Sequence, residues 1–224
     1  MGWVVVKISG KIVNPDQPRL VGEYAELLRK LSTSKRLAVV VGGGTVARHY
    51  IGAARSLGVS RGLQDMLGIE AARLNARLLA YTLGPDHACL HIPRSVGELL
   101  EAVSHCRIVL LGGLQPGQST AAVAAITAEL LSAERLVLAT TVDGVYDRDP
   151  RRHPDAKLLP RLTYAELERV LEQSVEPGRY ELLDPQAISV LRRSCVEARV
   201  VNGLDPKNVG KAVRGEPVGT TITC

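Results

Sequence analysis

Short apolar runs without polar alternation punctuate this chain: WVVVKI at Trp3 to Ile8, LAVVV at Leu37 to Val41, IVLL at Ile108 to Leu111 and LVLAT at Leu136 to Thr140. Continuous aliphatic and β-branched runs of this kind predict strands covered on both faces, as in a parallel sheet. Between them the apolar spacing turns helical, which predicts helices over Leu20 to Leu31, Thr45 to Leu57, Leu63 to Leu83, SVGELLEAV after a Ser95 cap, and from a Ser119 or Thr120 cap to Leu131. Ala88 to Ile92 reads as one more short strand. Past Pro150 the pattern predicts a helix over Leu162 to Leu171 after a Thr163 cap, a break at Pro177-Gly178, and a helix from Gln186 to Arg193 opened by Asp184-Pro185. A strand at Arg199 to Val201, a helix begun by Asp205-Pro206 and a closing strand at Gly219 to Thr223 complete the chain. Strand and helix alternate throughout, the signature of a three-layer α/β/α sandwich with a mainly parallel central sheet. With no long linker or repeat, the 224 residues are read as a single domain.

Composition narrows this picture. Aromatic residues make up 3% of the chain and Phe is absent, so the core must be aliphatic. The Leu63 helix sets Leu67, Ala71, Leu74 and Leu78 on one face and Arg73 and Arg77 on another. Together with the Thr45 helix it carries more apolar surface than one sheet face can cover, which predicts a homo-oligomer. The formal charge of +5 could suggest nucleic acid, but the arginines are scattered and no basic run has interleaved aromatics; a site for small phosphorylated anions explains the balance equally well. Cys89, Cys106, Cys195 and Cys224 form no CxxC pair, so neither disulfides nor structural zinc are expected and a reducing cytoplasm fits. His87 and His91 would diverge along a strand without a third ligand. No apolar stretch approaches the ~20 residues of a membrane-spanning helix, and Met1 to Ser9 is too short for a signal segment.

The candidate chemistry lies where strands end. Gly42-Gly43-Gly44 and Gly112-Gly113 each join a strand to a helix, and such a junction offers free N–H groups and a positive dipole end to an anion. Consecutive glycines cost about 1 kcal/mol each relative to alanine in regular structure, so exposed amides are the economical reason for them. Lys7, a lone charge on an apolar strand, either extends past the strand end to water or is aimed at phosphates. Asp65 either complements a helix dipole or contacts a ligand. Tyr146 and Asp149, within TTVDGVYDRDP, belong either to a surface loop or to a nucleotide clamp. Gly42, Gly44 and Ala47 also match GxGxxA, but in a dinucleotide fold the acid ends the next strand, whereas Asp65 leads into a helix. The chain has no GxxxxGK[ST] and no Gly-x-Ser-x-Gly elbow. Phosphoryl transfer, which rests on positioning and charge neutralisation, is the chemistry these parts suit.

VVKISGK (Val5 to Lys11), VGGGTVARHYI (Val41 to Ile51), DMLGI (Asp65 to Ile69), GGLQPGQSTAAVAA (Gly112 to Ala125), TTVDGVYDRDP (Thr140 to Pro150), YELLDPQA (Tyr180 to Ala187) and GTTI (Gly219 to Ile222), in this order along the whole chain, resemble the archaeal type of uridylate kinase within the amino acid kinase family. The resemblance implies phosphorylation of UMP to UDP by ATP with Mg2+, in pyrimidine nucleotide synthesis, by a homohexamer. It implies Lys7 and Arg48 as catalytic residues, and Lys7, Ser9, Gly10, Lys11, Gly44, Arg48, Thr140, Tyr146 and Asp149 toward ATP. Toward UMP it implies Gly43, Asp65 at the ribose, and Gly113, Leu114, Gln115, Pro116, Gly117, Gln118, Ser119 and Thr120. No residue is implied as a dedicated metal ligand. The N-terminal part would serve mainly the acceptor and the C-terminal part mainly ATP. Thr141 stands where the family pattern has asparagine, and the carboxylate that bacterial relatives carry after Thr120 is absent. The other readings are a family member acting on a carboxylate or another phosphate acceptor, and a non-catalytic nucleotide-binding oligomer.

Overall fold

The computed structural model describes residues 1–150, 152–173 and 183–224, with the side chains of 172 and 173 excepted. Its elements are β1 (Trp3–Ile8), α1 (Pro18–Ser32), β2 (Arg36–Val41), α2 (Gly44–Ser56), α3 (Arg61–Leu83), α4 (Val96–His105), β3 (Ile108–Leu111), α5 (Thr120–Leu130), β4 (Arg135–Thr140), β5 (Arg161–Thr163), α6 (Tyr164–Gln173), α7 (Pro185–Ser194), β6 (Glu197–Asn202), α8 (Pro206–Arg214) and β7 (Thr220–Thr223). The break expected at Pro177-Gly178, and Tyr180 to Leu182 of the YELLDPQA motif, lie outside the described residues.

One seven-stranded sheet runs in the order β3-β2-β1-β4-β6-β7-β5. Every neighbouring pair is parallel except β6 with β7. Side chains that alternate along each strand feed two separate apolar layers. Trp3, Val5, Ala38, Val40, Leu136 and Leu138 face α4, α5, α6 and α7. Val4, Val6, Leu37, Val39, Val41 and Val137 face α1, α3 and α8. The alanines of α5 (Ala121, Ala122, Ala124, Ala125, Ala128) are all buried, so this small-residue helix lies close on the middle of the sheet. β1, third in the sheet, is flanked by β2 on one side and β4 on the other, so the chain's winding reverses there. In open α/β sheets that reversal opens a crevice at the strands' carboxyl ends.

The structure departs from the sequence reading in several places. Residues 88–92 form no strand; they are an irregular segment held to β3 through the Cys89 N–H donating to the Ile108 carbonyl at 3.0 Å. The helix expected from Leu162 starts at Tyr164, because 161–163 pairs with β7 as β5. On α3 the expected apolar face is split: Ala71 is buried while its leucines turn outward. Leu67, Leu74 and Leu78 are exposed, whereas Ala72, Arg73, Asn75, Ala76 and Leu79 are buried. The cysteines pair: Cys89 with Cys106 (Cα–Cα 5.9 Å) and Cys195 with Cys224 (Cα–Cα 5.6 Å). The fold brings together partners 17 and 29 residues apart, and the expectation of no disulfides is overturned. His105 lies beside Cys89 and Cys106, but the two sulfurs are joined to each other. Among the described residues no helix is long and apolar enough to cross a membrane.

Candidate active site

The strand ends at the carboxyl edge of β1, β2, β3 and β4 gather the residues that the sequence singled out. Lys7 sits near the end of β1, level with Val40 on β2 and Leu138 on β4, and its side chain is half-buried. Burial pushes its ammonium down from 10.5 to about 8, against the opposing attraction of the Asp184 carboxylate. Among the described residues Lys7 makes no ion pair within 4 Å.

After β1 the chain turns at Ser9 to Lys11, where the Lys11 N–H donates to Ser9 Oγ at 3.3 Å. The Gly10 carbonyl accepts from the buried Asn14 Nδ2 at 2.8 Å. Gly10 lies directly against Gly42 and Gly44, so a side chain on it would overlap their backbone. Gly44 adopts φ +57°, a left-handed conformation that glycine takes without steric cost. It opens α2, on which the exposed Arg48 reaches back to Thr45 Oγ1 at 3.2 Å.

The acceptor-side residues line one cleft of about 280 Å³, formed by Gly43, Ile51, Asp65, Gly68, Ile69, Ala72, Gly113, Gln115, Gly117, Gln118, Ser119 and Thr120. Leu114 and Pro116, also expected there, are not among its walls; Leu114 packs instead against the α5-side core. The loop from Gly112 rides on α3, where a side chain on Gly112 would strike the backbone of Ala72 and Arg73. Asp65 belongs to α3 but lies beyond its first turn, which holds no acidic residue, so the dipole role does not apply. Its Oδ2 accepts from the Gly117 N–H at 2.9 Å, holding the tip of the loop over the cleft. Of the two expected caps it is Ser119 that starts α5, accepting from the Ala121 and Ala122 N–H groups at 3.1 and 3.0 Å.

Asp184, which the sequence marks only as the opener of a helix, also belongs to the site. It does cap α7, accepting from the Ala187 N–H at 3.1 Å. Its other oxygen accepts a short hydrogen bond from Ser119 Oγ, and its charge bears on Lys7. One carboxylate thus joins the start of α7, the start of α5 and the end of β1. The Asp-Pro helix signal was legible, but its proximity to Lys7 depends on the sheet order.

On the other flank, Thr140 ends β4 with its hydroxyl bonded to the Val142 backbone N–H and carbonyl at 3.1 Å. Tyr146 donates to Asp143 Oδ2 at 3.2 Å, and Asp143 Oδ1 accepts from Asn202 Nδ2 at 2.9 Å. Asp149 lies at the far end of this loop, its carbonyl accepting from the Arg152 and His153 N–H groups.

A parallel sheet that collects a lysine and glycine turns at its carboxyl edge, over a cleft floored by a helix, defines a binding site for phosphorylated ligands. The chain belongs to the amino acid kinase family, whose model matches residues 2–202. It is 59% identical over 223 residues to a uridylate kinase of Hyperthermus butylicus, covering 99% of this chain and 98% of that protein. It is 49% identical to a uridylate kinase of Pyrobaculum calidifontis, covering 99% of this chain and 100% of the relative. The crystal structure of the uridylate kinase from Archaeoglobus fulgidus superposes with a TM-score of 0.90 at 35% identity, covering 98% of this chain and 99% of that one.

Proposed function

We propose that the protein is a uridylate kinase that transfers the γ-phosphoryl group of ATP to UMP, giving UDP for pyrimidine nucleotide synthesis. The observation that carries this reading is the joint position of Lys7, Asp184 and the acceptor loop 113–119 at one point of the sheet edge. It is supported by full-length identity to uridylate kinases. UMP brings its own phosphate oxygen as nucleophile, so no strong general base is required. What the protein must supply is relief of repulsion between two anions.

In this reading Lys7 and Arg48 neutralise charge on the transferring group, and the Asp184 carboxylate favours the protonated form of Lys7 against the effect of burial. Ser9, Gly10, Lys11 and Gly44 hold ATP phosphates, while Tyr146 and Asp149 hold its nucleoside end. The hydroxyl of Thr140 is engaged with Val142, so Thr140 shapes that loop. Gly43 and residues 113–120 enclose UMP, with Asp65 accepting from its ribose. Mg2+ arrives with ATP and supplies charge neutralisation, held chiefly by phosphate oxygens and water. The N-terminal part of a single domain then serves the acceptor, and the C-terminal part serves ATP.

The exposed apolar side chains of α2 and α3, including Tyr50, Leu63, Leu74 and Tyr81 at 58–60% exposure, favour assembly into an oligomer, a hexamer in our reading. We assign the enzyme to the cytoplasm on its nucleotide substrates, since paired cysteines remove the argument from thiols. A coupled ADP-release assay with UMP, CMP, acetylglutamate and aspartate tests the proposal. UMP is expected to be preferred by a wide margin; preference for a carboxylate acceptor, or no turnover with any of the four, would overturn it.

A further inference from the structure

We infer that Asn75 and Arg73, two buried polar residues on α3, are positioning residues that turn the phosphate-facing amides of the acceptor site toward the ligand. The inference rests on the uridylate kinase reading for the ligand's identity. Its geometry comes from α3.

Asn75 is 1% exposed, and its Nδ2 donates to the carbonyls of Gly42 at 2.9 Å and Gly43 at 3.2 Å. Arg73 is 5% exposed; its Nε donates to the Gly113 carbonyl at 3.1 Å and its Nη2 to the Leu114 carbonyl at 3.3 Å. Its charge is met by Glu70 Oε1 at 2.7 Å, and Nη2 is also shared with the Arg94 carbonyl at 3.4 Å. Two side chains of one helix therefore grip four successive-pair carbonyls, two in each glycine turn.

A trans peptide unit points its C=O and the following N–H in opposite directions. Drawing the carbonyls of Gly42 and Gly43 toward α3 turns the N–H groups of Gly43 and Gly44 the other way. Drawing those of Gly113 and Leu114 does the same for Leu114 and Gln115. Among the described residues none of these four N–H groups donates to a protein acceptor. Buried or semi-buried amides without partners are uncommon, and a cluster of them is what an anionic oxygen needs. Gly43, Gly113 and Gln115 also line the acceptor cleft. Fixing the peptide planes before the ligand arrives removes the ordering cost from the binding step.

A purely structural role, in which the two side chains only satisfy buried carbonyls, makes a different prediction. Calorimetric titration of the whole protein with UMP and with uridine, which lacks the phosphate, separates the two. Asn75→Ala is expected to weaken UMP by about ten-fold or more while leaving uridine unchanged. Asn75→Ser, which keeps one hydroxyl donor, should recover part of the loss. Arg73→Lys, which keeps the charge but not the fork, should also weaken UMP and spare uridine. Equal losses for UMP and uridine, or no loss for either, would overturn the positioning role. Independently of any variant, the amide resonances of Gly43 and Gln115, which line the acceptor cleft, should move downfield in the unaltered protein with UMP and not with uridine. Unmoved resonances on UMP binding would overturn it as well. An unaltered protein that does not bind UMP at all would instead count against the uridylate kinase reading.

Discussion

On the acceptor flank of the cleft a single helix, α3, reaches three loop segments with rigid side chains: Asp65 to Gly117, Arg73 to Gly113 and Leu114, Asn75 to Gly42 and Gly43. On the donor flank the loop after β4 is anchored at its base, where Thr220 Oγ1 accepts from the Val145 N–H at 2.8 Å and donates to the Leu159 carbonyl at 2.6 Å. Beyond that base Asp143 is tied to β6 through Asn202 Nδ2, and the other bonds stay within the loop, Tyr146 to Asp143 and the Lys157 N–H to Asp147. The acceptor flank is therefore formed in advance of its ligand. In the proposed reading the donor loop exchanges internal partners for the nucleotide, so a hydrogen bond gained by Tyr146 there replaces one already made. The first arrangement turns most of its contact energy into affinity, and the second returns only the difference between two bonds.

Four measurements press on this contrast. In the proposed mechanism Lys7, between the flanks, serves the reacting group, so Lys7→Ala should lower turnover by a factor on the order of 10² to 10⁴ with little change in UMP binding. Near-normal turnover would remove it from the mechanism. Asp65→Ala should raise the Michaelis constant for UMP by about 30-fold or more and leave that for ATP unchanged, because it loses both a ribose acceptor and the anchor of Gly117. A variant that melts early yet keeps its UMP kinetics would reduce Asp65 to a loop anchor.

The third measurement follows from Lys7 titrating at about 8. Above that pH the free enzyme loses the cation, so kcat/KM should fall by up to about ten-fold per pH unit. Bound phosphates favour the charged form, which moves the limb in kcat to higher pH. Stability runs the other way. Between about 8 and 10.5 the unfolded lysine holds its proton more tightly than the folded one, so unfolding free energy gains with rising pH across that window. Lys7→Met should abolish both trends; a wild-type kcat/KM profile that stays level to about pH 10 would contradict the assignment. The smallest effect is expected on the donor flank. Tyr146→Phe should change the ATP constant by only about two- to ten-fold and leave UMP untouched, since its hydroxyl merely trades Asp143 for nucleotide. A larger loss would mean that this flank too is organised in advance.

The central strands were legible because β1, β2, β3 and β4 are buried on both faces, which leaves unbroken apolar runs. Arg161–Thr163 is too short to show any period, and the HACLHI stretch shows alternation but finds no strand partner. The α3 helix misled for a physical reason. It is apolar on its outer face as well as its inner one, so spacing could not tell which side meets the sheet. The same ambiguity hid Arg73 and Asn75, whose partners lie 40 and 33 residues away in sequence, and Asp184, whose partner Ser119 lies 65 residues away. The glycine turns, Lys7 and Asp65 were visible as residues. What holds them in place was not.

The contact between Gly10 and Gly44 bears on how this sequence is free to drift. A side chain at either position would overlap the backbone of the other turn, and Gly44 additionally holds φ +57°. Because the obstruction is main chain on both sides, no substitution elsewhere makes room, and replacing both glycines compounds the overlap. The pair is coupled in sequence space: neither member takes a side chain without displacing the other turn. A descendant that abandoned phosphate chemistry would have to rebuild both turns together, so these two positions should be among the last in the chain to change.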